Sequence, residues 1–331
     1  MKRTSWIDVA RGLAMLGVLY GHVLPREFGF GKWIYSWHMP VFFVITGILL
    51  FANDGWRGRT FRELFVRDLK AIMYPYLVWN VIEAVTMVFR FSLRDAAVGV
   101  FHFCMLDGLQ TLWFLSALFV ARQLLFQMLK RTEKRRGLVL ALAVSVVVTA
   151  AFSHLGSSGL ADGGLVGKLW GFANIANRSV QGFVFLTLGY LGAGCLAGRT
   201  ISRGEKAAVL VGSVLFGVFA FGFNTVDLRF SKIGNPLLFY PLAIAGSAAL
   251  FVASEAIAKF RASELLAWIG RNTIVLLVTH IPVRDLLAVL LPTLDTEMKP
   301  LFFLVFLAAE AGVVVFFSRY LPWLFHWRPK T

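Results

Sequence analysis

The sequence predicts an all-α integral membrane protein, with about ten transmembrane helices and both termini cytoplasmic. Three observations predict it. Hydrophobic residues make up 58% of the 331-residue chain, with a mean hydropathy of +0.72, whereas soluble domains hold about 45–50%. Charged residues are only 15%, too few to coat a water-soluble globule of this size. The apolar residues also fall in blocks of about 20, the length a helix needs to cross roughly 30 Å of hydrocarbon. The blocks do not alternate, and backbone groups in lipid must be paired internally, so helices are preferred to a barrel. No internal repeat, low-complexity tract or appended soluble segment interrupts the pattern, so 1–331 reads as a single transmembrane domain.

The first span is expected at 6–24. Lys2 and Arg3 precede it, as in a signal peptide. It contains Asp8, Arg11 and His22 and lacks a convincing small-residue cleavage site, so a retained helix is expected. The second, 34–52, opens on Trp37-His38-Met39-Pro40. The third, 70–91, follows a basic entry from Arg57 to Lys70, and the fourth, 109–129, opens on Trp113-Phe114-Leu115. Spans at 137–154, 179–197 and 206–223 are rich in Ala, Val and Gly and carry few polar side chains. The last three, at 237–258, 272–291 and 300–321, include His280, Arg284, Asp285 and Glu310. The longest connections are 53–69, 92–108 and 155–178.

Charge sets the orientation. With the N-terminus inside, the inner loops hold more than twice as many Lys and Arg as the outer ones. Both ends are then cytoplasmic, which needs an even number of spans. The net charge of +15 has this bland explanation, so nucleic acid is not an expected partner. Membrane lipids are. Two cysteines exclude a disulfide scaffold, and Cys104 and Cys195 fall near opposite faces.

A charge at mid-bilayer costs about 2.5–3.5 kcal/mol even on the lenient scale, so each needs a partner or a purpose. Asp8 and Arg11 are three residues apart and can pair. Arg11 and His22 are eleven apart and return to the same stripe, roughly 16 Å along the axis. A polar stripe through a helix resembles the wall of a water-accessible path. The plainer alternative is a structural ion pair with an interfacial histidine. His22 and His38 are expected at one membrane level. Two histidines there could bind a metal, but no Cys, Asp or Glu is clearly placed to complete a site, and no metal is expected. A general base suits histidine better; for His38 an interfacial cap before Pro40 competes equally.

Arg67 and Lys70, three apart, suit phosphate oxygens, although positive-inside anchors look the same. Arg122 has Glu83 or Glu310 as candidate partners. Arg284 follows His280 by four residues on one face. Trp113-Phe114-Leu115 is by default an aromatic belt.

Together these residues resemble the membrane-bound acyltransferase 3 family. Asp8-Val9-Ala10-Arg11-Gly12-Leu13-Ala14 followed by His22 is similar to its opening pattern of an Arg, ten residues and a His. His38-Met39-Pro40-Val41-Phe42-Phe43-Val44-Ile45-Thr46-Gly47 resembles its second-helix signature. Arg67-x-x-Lys70 before Tyr74-Pro75-Tyr76 resembles its third-helix entry, where two arginines are usual, so Lys70 departs from the pattern. Trp113-Phe114-Leu115, and Gly270-Arg271-Asn272-Thr273 with His280, are similar to later features. The resemblance spans the chain and is most specific in the first 120 residues.

The resemblance implies an O-acyltransferase of the cytoplasmic (inner) membrane. Its co-substrate would be acyl-coenzyme A, usually acetyl-CoA, entering from the cytoplasm. Its acceptor would be a hydroxyl on a lipid-linked or surface carbohydrate. His22 would be the base or acyl acceptor, with Arg11 and Asp8 orienting the stripe. Arg67 and Lys70 would hold coenzyme phosphates, and His38, Trp113 and His280 would line the acceptor side. A transporter or flippase for a lipid-linked glycan is the rival class, and an inverted repeat would favour it. A purely structural membrane partner would not need buried Asp8, Arg11 and His22.

Overall fold

The protein is described from a computed structural model covering residues 5–24, 31–131, 135–157, 164–221 and 225–327. Among these residues no strand forms; one isolated bridge joins Asp227 and Lys232. The helices are α1 (Ser5–Val23), α2 (Gly31–Trp37), α3 (Pro40–Ala52), α4 (Phe61–Asp68) and α5 (Tyr74–Arg90). Next come α6 (Leu93–Cys104), α7 (Trp113–Arg131), α8 (Arg135–Ser157), α9 (Gly164–Leu196) and α10 (Arg203–Phe221). The chain continues through α11 (Pro236–Ile257), α12 (Ser263–Arg271), α13 (Thr273–Leu290), α14 (Pro292–Glu297) and α15 (Lys299–Tyr320).

Each expected span corresponds to a long helical stretch. Among the described residues, 7 are long and apolar enough to cross a membrane by length and composition. The other expected spans, α1, α7 and α10, are helices of 19 residues each, about 28 Å at 1.5 Å per residue. Each carries charged residues: Asp8 and Arg11 in α1, Arg122 in α7, Arg203 and Glu205 in α10.

Three boundaries differ from expectation for identifiable reasons. The second span breaks at His38–Met39 into α2 and α3, because Pro40 cannot donate to the helix before it. The third begins at Phe61 instead of residue 70. Thr60 caps it in a reciprocal box with Glu63: Thr60 N–H donates to Glu63 Oε2 at 2.7 Å, and Glu63 N–H to Thr60 Oγ1 at 3.3 Å. Between α4 and α5, residues Leu69–Met73 widen into a π-turn. Pro75 has no N–H to continue the ladder, and Tyr74 N–H reaches back to Leu69 O. The sixth span begins at Gly164, and α8 runs to Ser157, so most of the expected 155–178 connection is helix.

The described chain forms two compact units. One comprises Met1–Phe42, Gly198–Val226 and Ile233–Leu321; the other comprises Phe43–Ala197, Asp227–Lys232 and Pro322–Thr331. In the first, α1 and α12 touch backbone to backbone. A Cβ on Gly12 would fall 2.0 Å from Leu266 O, and one on Gly270 1.8 Å from Asp8 O. Small residues allow this approach, which in lipid is a main source of helix–helix attraction. In the second unit α3 and α9 cross the same way. A Cβ on Gly47 would meet Leu186 O at 2.0 Å, and one on Gly189 would meet Val44 O at 2.2 Å.

Candidate active site

In the first unit, α1 carries Asp8, Arg11 and His22. Asp8 is buried and Arg11 half-buried, and the glycine contact with α12 fixes the backbone at Asp8. The helix brings His22 to α13. The His22 and His280 rings lie 5.0 Å apart, tilted by 51°. His280 is fully buried, and its Nδ1 lies 2.7 Å from Leu276 O. A carbonyl only accepts, so Nδ1 carries hydrogen, and in the neutral ring the lone pair is on Nε2. That Nε2 is buried and has no hydrogen-bond partner in the protein.

Arg284, one turn beyond His280, donates from Nη1 to His22 O at 3.1 Å and from Nε to Asp285 at 3.0 Å. It anchors the end of α1 to α13 through the backbone of the histidine itself. Thr279 donates to Glu310 Oε2 at 2.9 Å, and Glu310, 1% exposed, keeps Oε1 unpartnered. His38 is buried; its Nδ1 donates to Ile34 O at 2.9 Å, and its ring packs on Tyr35 at 4.9 Å. Tyr35 in turn donates to Gly21 O at 2.7 Å, next to His22. The His22 ring thus meets that of His280, a pairing the sequence did not propose.

In the second unit, Arg67 and Lys70 are on a shared basic entry but take different neighbours, because the π-turn begins between them. Lys70 Nζ lies over the Trp327 ring at 5.9 Å. Arg67 Nη2 donates to Asp68 Oδ1 at 3.0 Å. The expectation that Arg122 pairs with Glu83 or Glu310 is corrected: its Nε donates to Asp68 Oδ2 at 2.7 Å and its Nη2 to Oδ1 at 3.0 Å. Gln123 adds a third donor at 3.2 Å. Asp68 therefore holds two guanidiniums, both over the Phe126 ring at 5.6 and 5.3 Å. These contacts use Nε and Nη2 of each arginine, so each Nη1 is left for a further ligand, and the trio carries net positive charge. Sequence reasoning missed Asp68 because it placed this residue in a connection.

Trp113 is buried at the start of α7, with the Arg178 guanidinium 5.5 Å from its ring. Arg178 Nη2 donates to Asp107 Oδ1 at 2.7 Å.

The fold and these buried polar side chains define a polytopic helical membrane protein with a histidine-lined site. Its family follows from comparison. The family model described as "Acyltransferase domain" of the acyltransferase 3 group matches residues 4–319, nearly the whole chain. The chain belongs to the membrane-bound acyltransferase 3 family, and its activity is that of a membrane acyltransferase. No curated protein and no solved structure matches it.

Proposed function

We propose that the protein transfers an acyl group, acetyl in the simplest case, from cytoplasmic acyl-CoA to a hydroxyl of a cell-surface or lipid-linked carbohydrate. One observation carries the reading: His22, at the end of the Asp8–Arg11 helix, lies against His280, whose tautomer is fixed by Leu276 O. An imidazole oriented by neighbours suits proton removal from a poorly acidic hydroxyl.

In this reading His22 takes the hydroxyl proton as the acceptor oxygen attacks the thioester carbonyl. The carbon–sulfur bond breaks, an ester forms, and the proton passes to the departing coenzyme thiolate. Arg11, oriented by Asp8, faces negative charge developing on the carbonyl oxygen or carried by the coenzyme. His280 and Arg284 fix the ring and backbone of His22. Arg67 and Lys70 bind coenzyme phosphates, and His38 and Trp113 shape the acceptor side.

All ten long helices cross the membrane in this reading, with both termini cytoplasmic. Reconstitution in vesicles with labelled acetyl-CoA tests it. Label appearing as base-labile ester on carbohydrate is the expected result. Glycan movement across the bilayer without label transfer supports the flippase reading instead.

A further inference from the structure

One face of α9 carries Asn174, Asn177 and Arg178, which the sequence assigned to a connection, and Gln181, in the expected span, at helical positions i, i+3, i+4 and i+7. Those spacings place all of them on one side of a helix. Asn177, Arg178 and Gln181 are each at least nine-tenths buried. Yet Asn177 and Gln181 have no partner in the protein for either amide atom. Asn174 Oδ1 and Arg178 Nε are unpartnered too, as is Ser231 Oγ in the turn against this face. Leaving buried polar groups unpaired costs about 1–3 kcal/mol each, so such a cluster within one membrane-spanning helix favours a polar occupant.

The chemistry of the atoms identifies the class of occupant. Donors and acceptors alternate along the face for about 10 Å at 1.5 Å per residue. An anion would call for donors alone, and a cation for acceptors alone. A hydroxyl both donates and accepts, so a row of hydroxyls matches the row of amides. The face also carries little net charge, since Arg178 is already paired with Asp107 at 2.7 Å. Trp113, under the same guanidinium at 5.5 Å, supplies an aromatic surface of the kind on which the C–H face of a sugar ring rests.

The surrounding backbone is built to hold this face. Leu106 and Gln110, at the two ends of the loop that holds Asp107, have φ 64° and 51°, a region non-glycine residues rarely adopt. Asn80 Oδ1 accepts from Leu109 N–H at 2.8 Å, and Ser116 Oγ donates to Leu106 O at 2.7 Å, so that loop is pinned from both sides. Strained residues kept in place by their surroundings gather at binding sites. Opposite, Asn174 and Arg178 both donate to Arg229 O, at 3.1 and 3.4 Å, in a turn closed by the Asp227–Lys232 bridge. Ser231 in that turn is also at positive φ, 53°.

We infer that the Asn174–Gln181 face of α9, with Trp113, is the subsite for a neutral, hydroxyl-rich saccharide, and that the Asp227–Lys232 turn closes over it. The inference rests on the acyltransferase reading for its role, since it places the acceptor there. Ligand entry requires the turn to release Arg229 O and leave Asn174 and Arg178 to the sugar.

The test replaces amides by apolar side chains of similar size, Asn177→Leu and Gln181→Met. Buried groups that lack partners can be so replaced with stability kept or gained. Protein in nanodiscs free of sugar detergents is given labelled acetyl-CoA and a glycan extract from cells lacking this chain. Each variant is expected to raise the acceptor KM about tenfold, with donor KM unchanged and melting temperature unchanged or higher. A second arm reads saturation-transfer NMR of chitotetraose and maltotetraose against the same proteins. An unchanged acceptor KM in both variants overturns the subsite and leaves the acyltransferase reading standing. A marked fall in melting temperature also overturns it, because the amides then hold the fold. If the wild type transfers no label, the acyltransferase reading fails. The oligosaccharide arm then decides alone: binding lost in both variants supports a saccharide site, and no binding to the wild type overturns it.

Discussion

Arg122 on α7 donates from Nε to Oδ2 of Asp68, at the end of α4, across 2.7 Å. Asp68 is 2% exposed and also accepts from Arg67. Removing the carboxylate leaves two guanidiniums facing one another over Phe126. Asp68→Ala should therefore destabilise by about 3–5 kcal/mol, the range for breaking a buried pair. Arg67→Ala, which leaves Asp68 its Arg122 contacts, should cost much less. Thermal unfolding in one detergent compares them; equal losses would show that Arg122 does not hold the carboxylate.

Arg67→Ala combined with Lys70→Ala should weaken coenzyme A binding, with folding retained. In the wild type the affinity should fall as salt rises, since exposed charges are screened beyond about 10 Å at 0.1 M. Calorimetric titration measures both effects. An unchanged affinity in the double variant makes this entry a topology anchor only.

Two native cysteines report orientation without engineering. Cys104 ends α6 and Cys195 lies near the end of α9, and both are exposed. With both termini cytoplasmic, a membrane-impermeant maleimide applied to intact cells should label Cys104 and spare Cys195. The reverse pattern would invert the orientation and put the basic entry on the wrong side for a cytoplasmic donor.

The contact of α1 with α12 has no room for a side chain. Gly270→Val places its Cβ 1.8 Å from Asp8 O, so backbone must move. Overpacking of this kind costs about 1–3 kcal/mol or more, and the displaced segment carries Asp8 and Arg11. Stability and acyl transfer should fall together in this variant. Full activity would show that the position of Asp8 is immaterial.

The long apolar helices were readable because hydrocarbon thickness fixes their length and forbids charge, and these constraints act on local sequence. Pro40 shows what they miss. The run 34–52 is free of Asp, Glu, Lys and Arg, but one missing N–H divides the helix at His38–Met39. Residue pairing was less readable. His22 and Arg11 stand out by their spacing on one helix, whereas the meeting of His22 with His280 joins residues 258 positions apart, which periodicity does not encode. Asp68 and the Asn174, Asn177 and Arg178 part of the α9 face escaped for another reason. Each lies in a helical extension beyond the apolar window, where polar side chains look like loop. The i, i+3, i+4, i+7 spacing from Asn174 to Gln181 was the signal that could have recovered the second.

In the proposed mechanism His22 is the base, so acetyl transfer by His22→Ala in reconstituted vesicles measures its role. General-base loss should lower the rate by about 10²–10⁴, while expression, melting temperature and coenzyme A affinity remain close to wild type. His280→Ala should be milder, because that ring orients its neighbour. Most of the activity surviving in His22→Ala, with His280→Ala or His38→Ala inactive, would contradict the assignment of the base. Activity surviving in all three would contradict the histidine mechanism itself.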